Sequence, residues 1–129
     1  MLSTADIIAF VPTKDSAKSR AFYEGVLGLR FVSDDGFALV FNANGIMIRV
    51  AKAQQQFTPA PYTILGWNVN EIEKVAARLE EQGVRCERYG FFQQDDLGIW
   101  TAPNGDKVAW FKDPDGNTLS ISEHREWKK

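Results

Sequence analysis

The sequence predicts an α+β protein built from two copies of a β-α-β-β-β unit. Three observations carry that expectation. Apolar, β-prone runs and turn residues follow the same order twice, and each half holds one amphipathic helical stretch directly after its first strand. Each helical stretch also ends on a glycine in the same setting, Gly28-Leu29-Arg30 against Gly83-Val84-Arg85, an offset of 55. Few identities link the halves, so the repeat rests on the order of elements. Unit one is expected over about residues 5–53 and unit two over about 62–124. Residues 54–61, with Pro59 and Pro61, form the linker within a single domain of 129 residues.

The first strand is the run Ile7-Ile8-Ala9-Phe10-Val11. Asp15 or Ser16 then caps a helix over 17–27, with Ala21, Phe22, Val26 and Leu27 on one face and Gly28 closing it. Strands follow at 29–33, 37–42 and 46–51, punctuated by Asp34-Asp35-Gly36 and Asn42-Ala43-Asn44-Gly45. In the second half a strand at 63–69 precedes a helix over 71–82, capped by Asn70, with Ile72, Val75, Ala76 and Leu79 on its apolar face. A strand at 84–88, a polar and aromatic loop at 89–97, and strands at 99–102, 107–112 and 118–122 complete it, with Asn104-Gly105 and Asp113-Pro114-Asp115-Gly116 as the last two turns.

Composition narrows the function classes. Hydrophobic residues make up 44% and charged residues 25%, an ordinary globular balance. A net charge of −2 with acids and bases interspersed argues against a nucleic-acid partner. No apolar run is long enough for a membrane span, and the first residues lack a signal-peptide pattern, so the expected location is cytoplasmic. Cys86 is the only cysteine, which removes disulfides and cysteine-based metal sites; it reads as a small core residue.

Residues 108–122 are the most distinctive stretch: Val108-Ala109-Trp110-Phe111-Lys112, the Asp-Pro-Asp-Gly turn, then Asn117-Thr118-Leu119-Ser120-Ile121-Ser122. This string, supported by Ala21-Phe22-Tyr23-Glu24-Gly25-Val26-Leu27-Gly28-Leu29, resembles the signature of the vicinal oxygen chelate superfamily, which includes the glyoxalases, bleomycin-resistance proteins and extradiol dioxygenases. The resemblance covers nearly the whole chain. It implies that the paired units curve their sheets into a half-open barrel around a cavity, and that two chains pair as a homodimer.

The metal enzymes of that superfamily place ligands at four inward positions, two on the first strand of each unit and two on the last. The resemblance matches those places to Ile8, Arg49, Ile64 and Ser120. A divalent ion needs about three or more His or carboxylate donors, and a guanidinium would repel it. Shifting the match by one residue brings Ala9, Ile48, Leu65 and Leu119 or Ile121, which is no better. No metal and no other cofactor is therefore expected. His124, alone in a charged tail, reads as a solvated residue, and Asp95-Asp96 as a polar loop tip.

Strand alternation assigns faces. Ile46, Ile48 and Val50 pack under helices, as do Leu65, Trp67, Val69, Leu119 and Ile121, while Met47, Arg49, Asn68, Ser120 and Ser122 point the other way. Phe10, Trp100 and Trp110 join that second face, and Phe91-Phe92 close one end of it. Phe10, Met47, Arg49, Asn68, Trp100, Trp110 and Ser120 are thus the expected ligand-binding residues. Arg49 needs a carboxylate partner, either internal or on a ligand. The favoured reading is a metal-independent protein that binds an aromatic or apolar small molecule. Whether it also catalyses a reaction stays open, and the residues lean against it. The alternatives are a metal-dependent lyase, isomerase or dioxygenase with displaced ligands, and an interaction subunit with no pocket.

Overall fold

A computed structural model describes all residues from Met1 to Lys129. The chain divides into two compact units, Met1–Pro59 and Ala60–Lys129. Each is one four-stranded mixed sheet with a helix on one face.

In the first unit β1 (Ile8–Thr13) leads into α1 (Ser16–Arg20), followed by β2 (Arg30–Asp34), β3 (Ala38–Ala43) and β4 (Ile46–Lys52). The spatial order is β1-β4-β3-β2, with β1 parallel to β4 and the other pairs antiparallel. In the second unit β5 (Thr63–Asn68) and α2 (Ile72–Glu81) precede β6 (Trp100–Thr101), β7 (Lys107–Lys112) and β8 (Thr118–Glu123), ordered β5-β8-β7-β6 with the same pairing senses. The duplicated β-α-β-β-β grammar is therefore the architecture.

The helix expected over 17–27 is α-helical only to Arg20 and continues as a π-helical stretch over Ala21–Val26. Leu27 N–H donates to Phe22 O and Leu29 N–H to Tyr23 O. The wider winding advances the side-chain phase, so Phe22 and Tyr23 are buried and Ala21, expected in the core, is exposed. Asp15 caps the helix as expected, accepting from Lys18 N–H at 3.1 Å.

For α2 the sequence reading needs correction. Asn70 is not the cap: the first residue before the helix is Glu71, without a capping bond, and Ile72 N–H instead finds Glu123 Oε1 at 3.1 Å, 51 residues away. Residues 84–88 form no strand. Glu87 N–H donates to Trp110 O, but Glu87 O is taken by the Gln94 side-chain amide, so no ladder can extend there. The strand expected at 99–102 is two residues long, with Trp100 and Thr101 paired to Val108 and Lys107 of β7.

Packing follows the predicted parity in part. Ile46, expected under the helices, is exposed, and Trp67 lines a cavity. Both faces of β3 and β8 are buried because these are inner strands of their sheets. Val11, Ile48, Val50, Phe41 and Tyr23 are buried in the first unit, and Ile72, Ala76, Leu79, Ala109, Phe111, Leu119 and Ile121 in the second. The Asp113–Gly116 turn is held by a buried carboxylate. Asp113 accepts from the backbone N–H of Asp115 and Asn117 and from the Asn117 side chain, each at 2.9 Å, while Gly116 adopts φ 86°. Buried Asp113 and Asn117 thus fix the β7–β8 hairpin from inside.

Candidate functional site

The face of each sheet away from its helix carries the candidate residues. On the first unit this face is apolar and open: Phe10 is 62% exposed, Ile8 45% and Met47 40%. Phe10 lies beside Arg49, and Arg49 beside Val40, across β1, β4 and β3. Arg49 has its partner within the unit, since its Nη2 donates to Asp35 Oδ2 at 2.7 Å. That bond, aided by the backbone N–H groups of Phe37 and Ala38, pulls the Asp35 carboxyl down to about 2. Asp35 is itself held by the Asp34-Asp35-Gly36 turn, so the guanidinium is oriented by the loop between β2 and β3.

The second unit arranges the equivalent positions differently. Gly66, Ser120 and Trp110 sit side by side on β5, β8 and β7. A Cβ on Gly66 would overlap the Ser120 hydroxyl, so the glycine leaves room for a serine that is itself buried. Ser120 is thus a packed residue rather than an open hydrogen-bonding group.

One row further along, the sheet opens into a cavity of about 770 Å³, lined by Gly66, Trp67, Asn68, Asn104, Asp106, Ser122 and the tail residues 124–127. The β6–β7 turn supplies Asn104 and Asp106, with Gly105 at φ 93° allowing the tight reversal. His124 holds the tail down: its backbone N–H donates to Asn68 Oδ1 at 3.3 Å, and its Nδ1 donates to Asp106 Oδ2 at 2.9 Å. The imidazole beside Asp106, helped by the Asn104 side chain, holds that carboxyl below the usual carboxylate range. His124 is exposed, as expected of a tail residue, and also lines the cavity wall. Strand parity (Ser120, Ser122, His124) was the signal that could have placed it there; nothing local marks Asp106 or Trp127.

The other half of this face is aromatic. Tyr89, Phe91, Phe92, Trp100 and Trp110 form one cluster, in which Phe92 stacks on Trp110 at 5.2 Å between ring centres and 4° between planes. The structure thus brings Trp100 and Trp110 together at 6.3 Å, with the loop folded onto them. Of the seven expected binding residues, Asn68 lines the cavity, Trp100 and Trp110 form the aromatic platform, and Ser120 lies buried beside Gly66. Phe10, Met47 and Arg49 share the open face of the first unit.

No three His, Cys, Asp or Glu side chains converge as a metal site would require. Ile8, Arg49, Ile64 and Ser120, the residues matched above to metal-ligand places by resemblance, offer no set of His or carboxylate donors for a divalent ion. Cys86 packs against Gly98, whose added Cβ would lie 2.7 Å from the cysteine Cβ, and burial pushes its thiol up to about 11, out of the reactive range.

The profile of the Glyoxalase/Bleomycin resistance protein/Dioxygenase superfamily matches residues 5–121. The chain belongs to that superfamily. No curated protein matches it. Among solved structures, a superfamily member from Sphaerobacter thermophilus shares 21% identity and a TM-score of 0.76 over 96% of this chain and 100% of that one. A lactoylglutathione lyase from Agrobacterium tumefaciens shares 18% identity and a TM-score of 0.74 over 96% of both chains. A glyoxalase family protein from Enterococcus faecalis shares 22% identity and a TM-score of 0.68 over 95% of this chain and 100% of that one. At these identities the likeness concerns the fold. No helix of this superfamily member is long and apolar enough to cross a membrane.

Proposed function

We propose that this superfamily member is a metal-independent, small-molecule-binding protein that acts in the cytoplasm as a homodimer, with a planar or apolar ligand. The carrying observation is the cavity beside Asn68 and Ser122, whose volume of about 770 Å³ suits a small organic molecule. Its two amides, its serine hydroxyl and the paired Asp106 and His124 offer a few directed polar groups, and Trp67 and Trp127 offer apolar surface. The donor chemistry supports the same reading: a cation, two aliphatic residues and a buried serine occupy the superfamily's ligand positions. Exposed Ile8, Phe10 and Met47 support burial of the first unit's open face in a dimer.

The test is titration of the purified chain, without added metal, with a panel of aromatic compounds while tryptophan emission is followed. Emission should change on binding, and Asn68→Ala or Ser122→Ala should weaken the affinity about fivefold, the worth of one hydrogen bond of roughly 1 kcal/mol. Unchanged emission across the panel, together with stoichiometric zinc, nickel, manganese or iron in elemental analysis of the untreated protein, would transfer support to a metal-dependent enzyme.

A further inference from the structure

The loop between α2 and β6 does something that a simple connection does not require. Its base is locked by one side chain: Gln94 Oε1 accepts from Tyr89 N–H at 2.8 Å, and Gln94 Nε2 donates to Glu87 O at 2.9 Å and Gly98 O at 2.7 Å. Above this strap the tip folds back as a turn, Phe92 N–H reaching Tyr89 O at 3.1 Å. The turn delivers the Phe92 ring flat onto Trp110 and within 4.7 Å of the Trp100 ring centre. The tip is held by ring contacts alone, Tyr89 on Trp110 and Phe91 on Tyr89 and Phe92, while a Cβ on Gly90 would meet nothing within 4 Å and Phe91 is 80% exposed. A hydrogen-bonded base and a tip held only by ring stacking thus place one ring on two indoles.

Nearby cations already have partners. Arg88 donates to Asp96 O at 2.6 Å and Lys112 to Thr118 Oγ1 at 2.7 Å. What the platform presents to an incoming group is π surface, which selects by shape and stacking area rather than by charge.

We propose that Trp100 and Trp110 are a binding platform for a flat, uncharged aromatic compound, that Phe92 occupies this platform as an internal ligand, and that the tip over residues 89–93 swings away when the compound binds. The proposal rests on the small-molecule-binding reading and gives an aromatic ligand a place distinct from the polar cavity. Phe92 then sets the affinity threshold, because only a ring system with more stacking area than a phenyl group displaces it.

The test uses the full chain and the neutral fluorophore aminoanthracene. Phe92→Ala should bind it about tenfold more tightly than the unmodified chain, the factor expected for a site open about a tenth of the time. Gln94→Ala, which keeps the phenyl ring but releases the strap, should also tighten binding, and Trp110→Ala should abolish it. Binding by Phe92→Ala that is equal to or weaker than that of the unmodified chain would make Phe92 a wall of the site and overturn the proposal. If none of the four proteins binds aminoanthracene, the platform is refuted, while the cavity reading is judged separately by its Asn68 and Ser122 variants.

Discussion

The two units share one grammar but finish their open faces in opposite ways. In the first, the row across β1, β4 and β3 is Phe10, Arg49 and Val40; in the second, the matching row across β5, β8 and β7 is Gly66, Ser120 and Trp110. One row along, the first unit has Pro12, Ala51 and Ala38, and the second has Asn68, Ser122 and Val108. The first face is apolar with a single paired cation, exposed at Ile8, Phe10 and Met47 and buried at Val40. The second carries its own loop on Trp100 and Trp110, and its own tail lines a cavity beside Asn68 and Ser122. Duplication supplied the sheet twice, and the segments outside the strands made one copy a site.

Breaking the Gly66–Ser120 fit should have the largest effect. Gly66→Ala forces the added methyl against the buried Ser120 hydroxyl and should cost roughly 1–3 kcal/mol in urea unfolding, the range for overpacking. The double variant with Ser120→Ala should recover most of that loss. Additive losses would mean that the glycine is required for a reason other than the serine. In the first unit the matching pair is Phe10 and Arg49, with no glycine to fit.

The helix caps sharpen the comparison at a smaller scale. Asp15→Ala and Glu123→Ala should each cost about 1 kcal/mol of stability, because each leaves a helix N–H without its acceptor. Hydrogen exchange should separate them: the first variant loosens the start of α1, the second both α2 and the end of β8. Loss of protection in α2 alone would show that Glu123 is not what joins them.

The smallest effect concerns the first face's cation. The Asp35 carboxyl is held at about 2 by Arg49, below its ordinary value of about 3.9. A lowered carboxyl contributes stability that is complete above the unfolded value and disappears as pH falls through the folded one. The Arg49→Met variant should therefore show a shallower loss of stability than the unmodified chain between about pH 4 and pH 2 in urea titrations. Identical acid profiles would show that the pair has no stabilising role. Both side chains are partly exposed, so the difference should be small and should shrink in salt.

Much of this was legible in the residues. Period-2 alternation placed Met47, Arg49, Asn68 and Ser122 away from the helices, and Asp15, Gly28, Asn44-Gly45 and Asp113–Gly116 marked turns and ends where they occur, because those signals act over a few residues. The strand expected at 84–88 and the Asn70 cap failed for one common reason: a competing partner distant in the chain or in the loop took the group concerned. Gln94 took the carbonyl of Glu87, and Glu123 took the N–H of Ile72.

The sequence by itself determined the doubled β-α-β-β-β order and the alternation of faces along most strands. Only the tertiary structure decided that Phe92 lies on Trp110, that Ser120 is buried against Gly66, and that His124 closes a cavity by bonding Asn68 and Asp106. These are side-chain contacts between separated segments. Their geometry depends on where loops and tail return, and no local pattern of residues encodes that path.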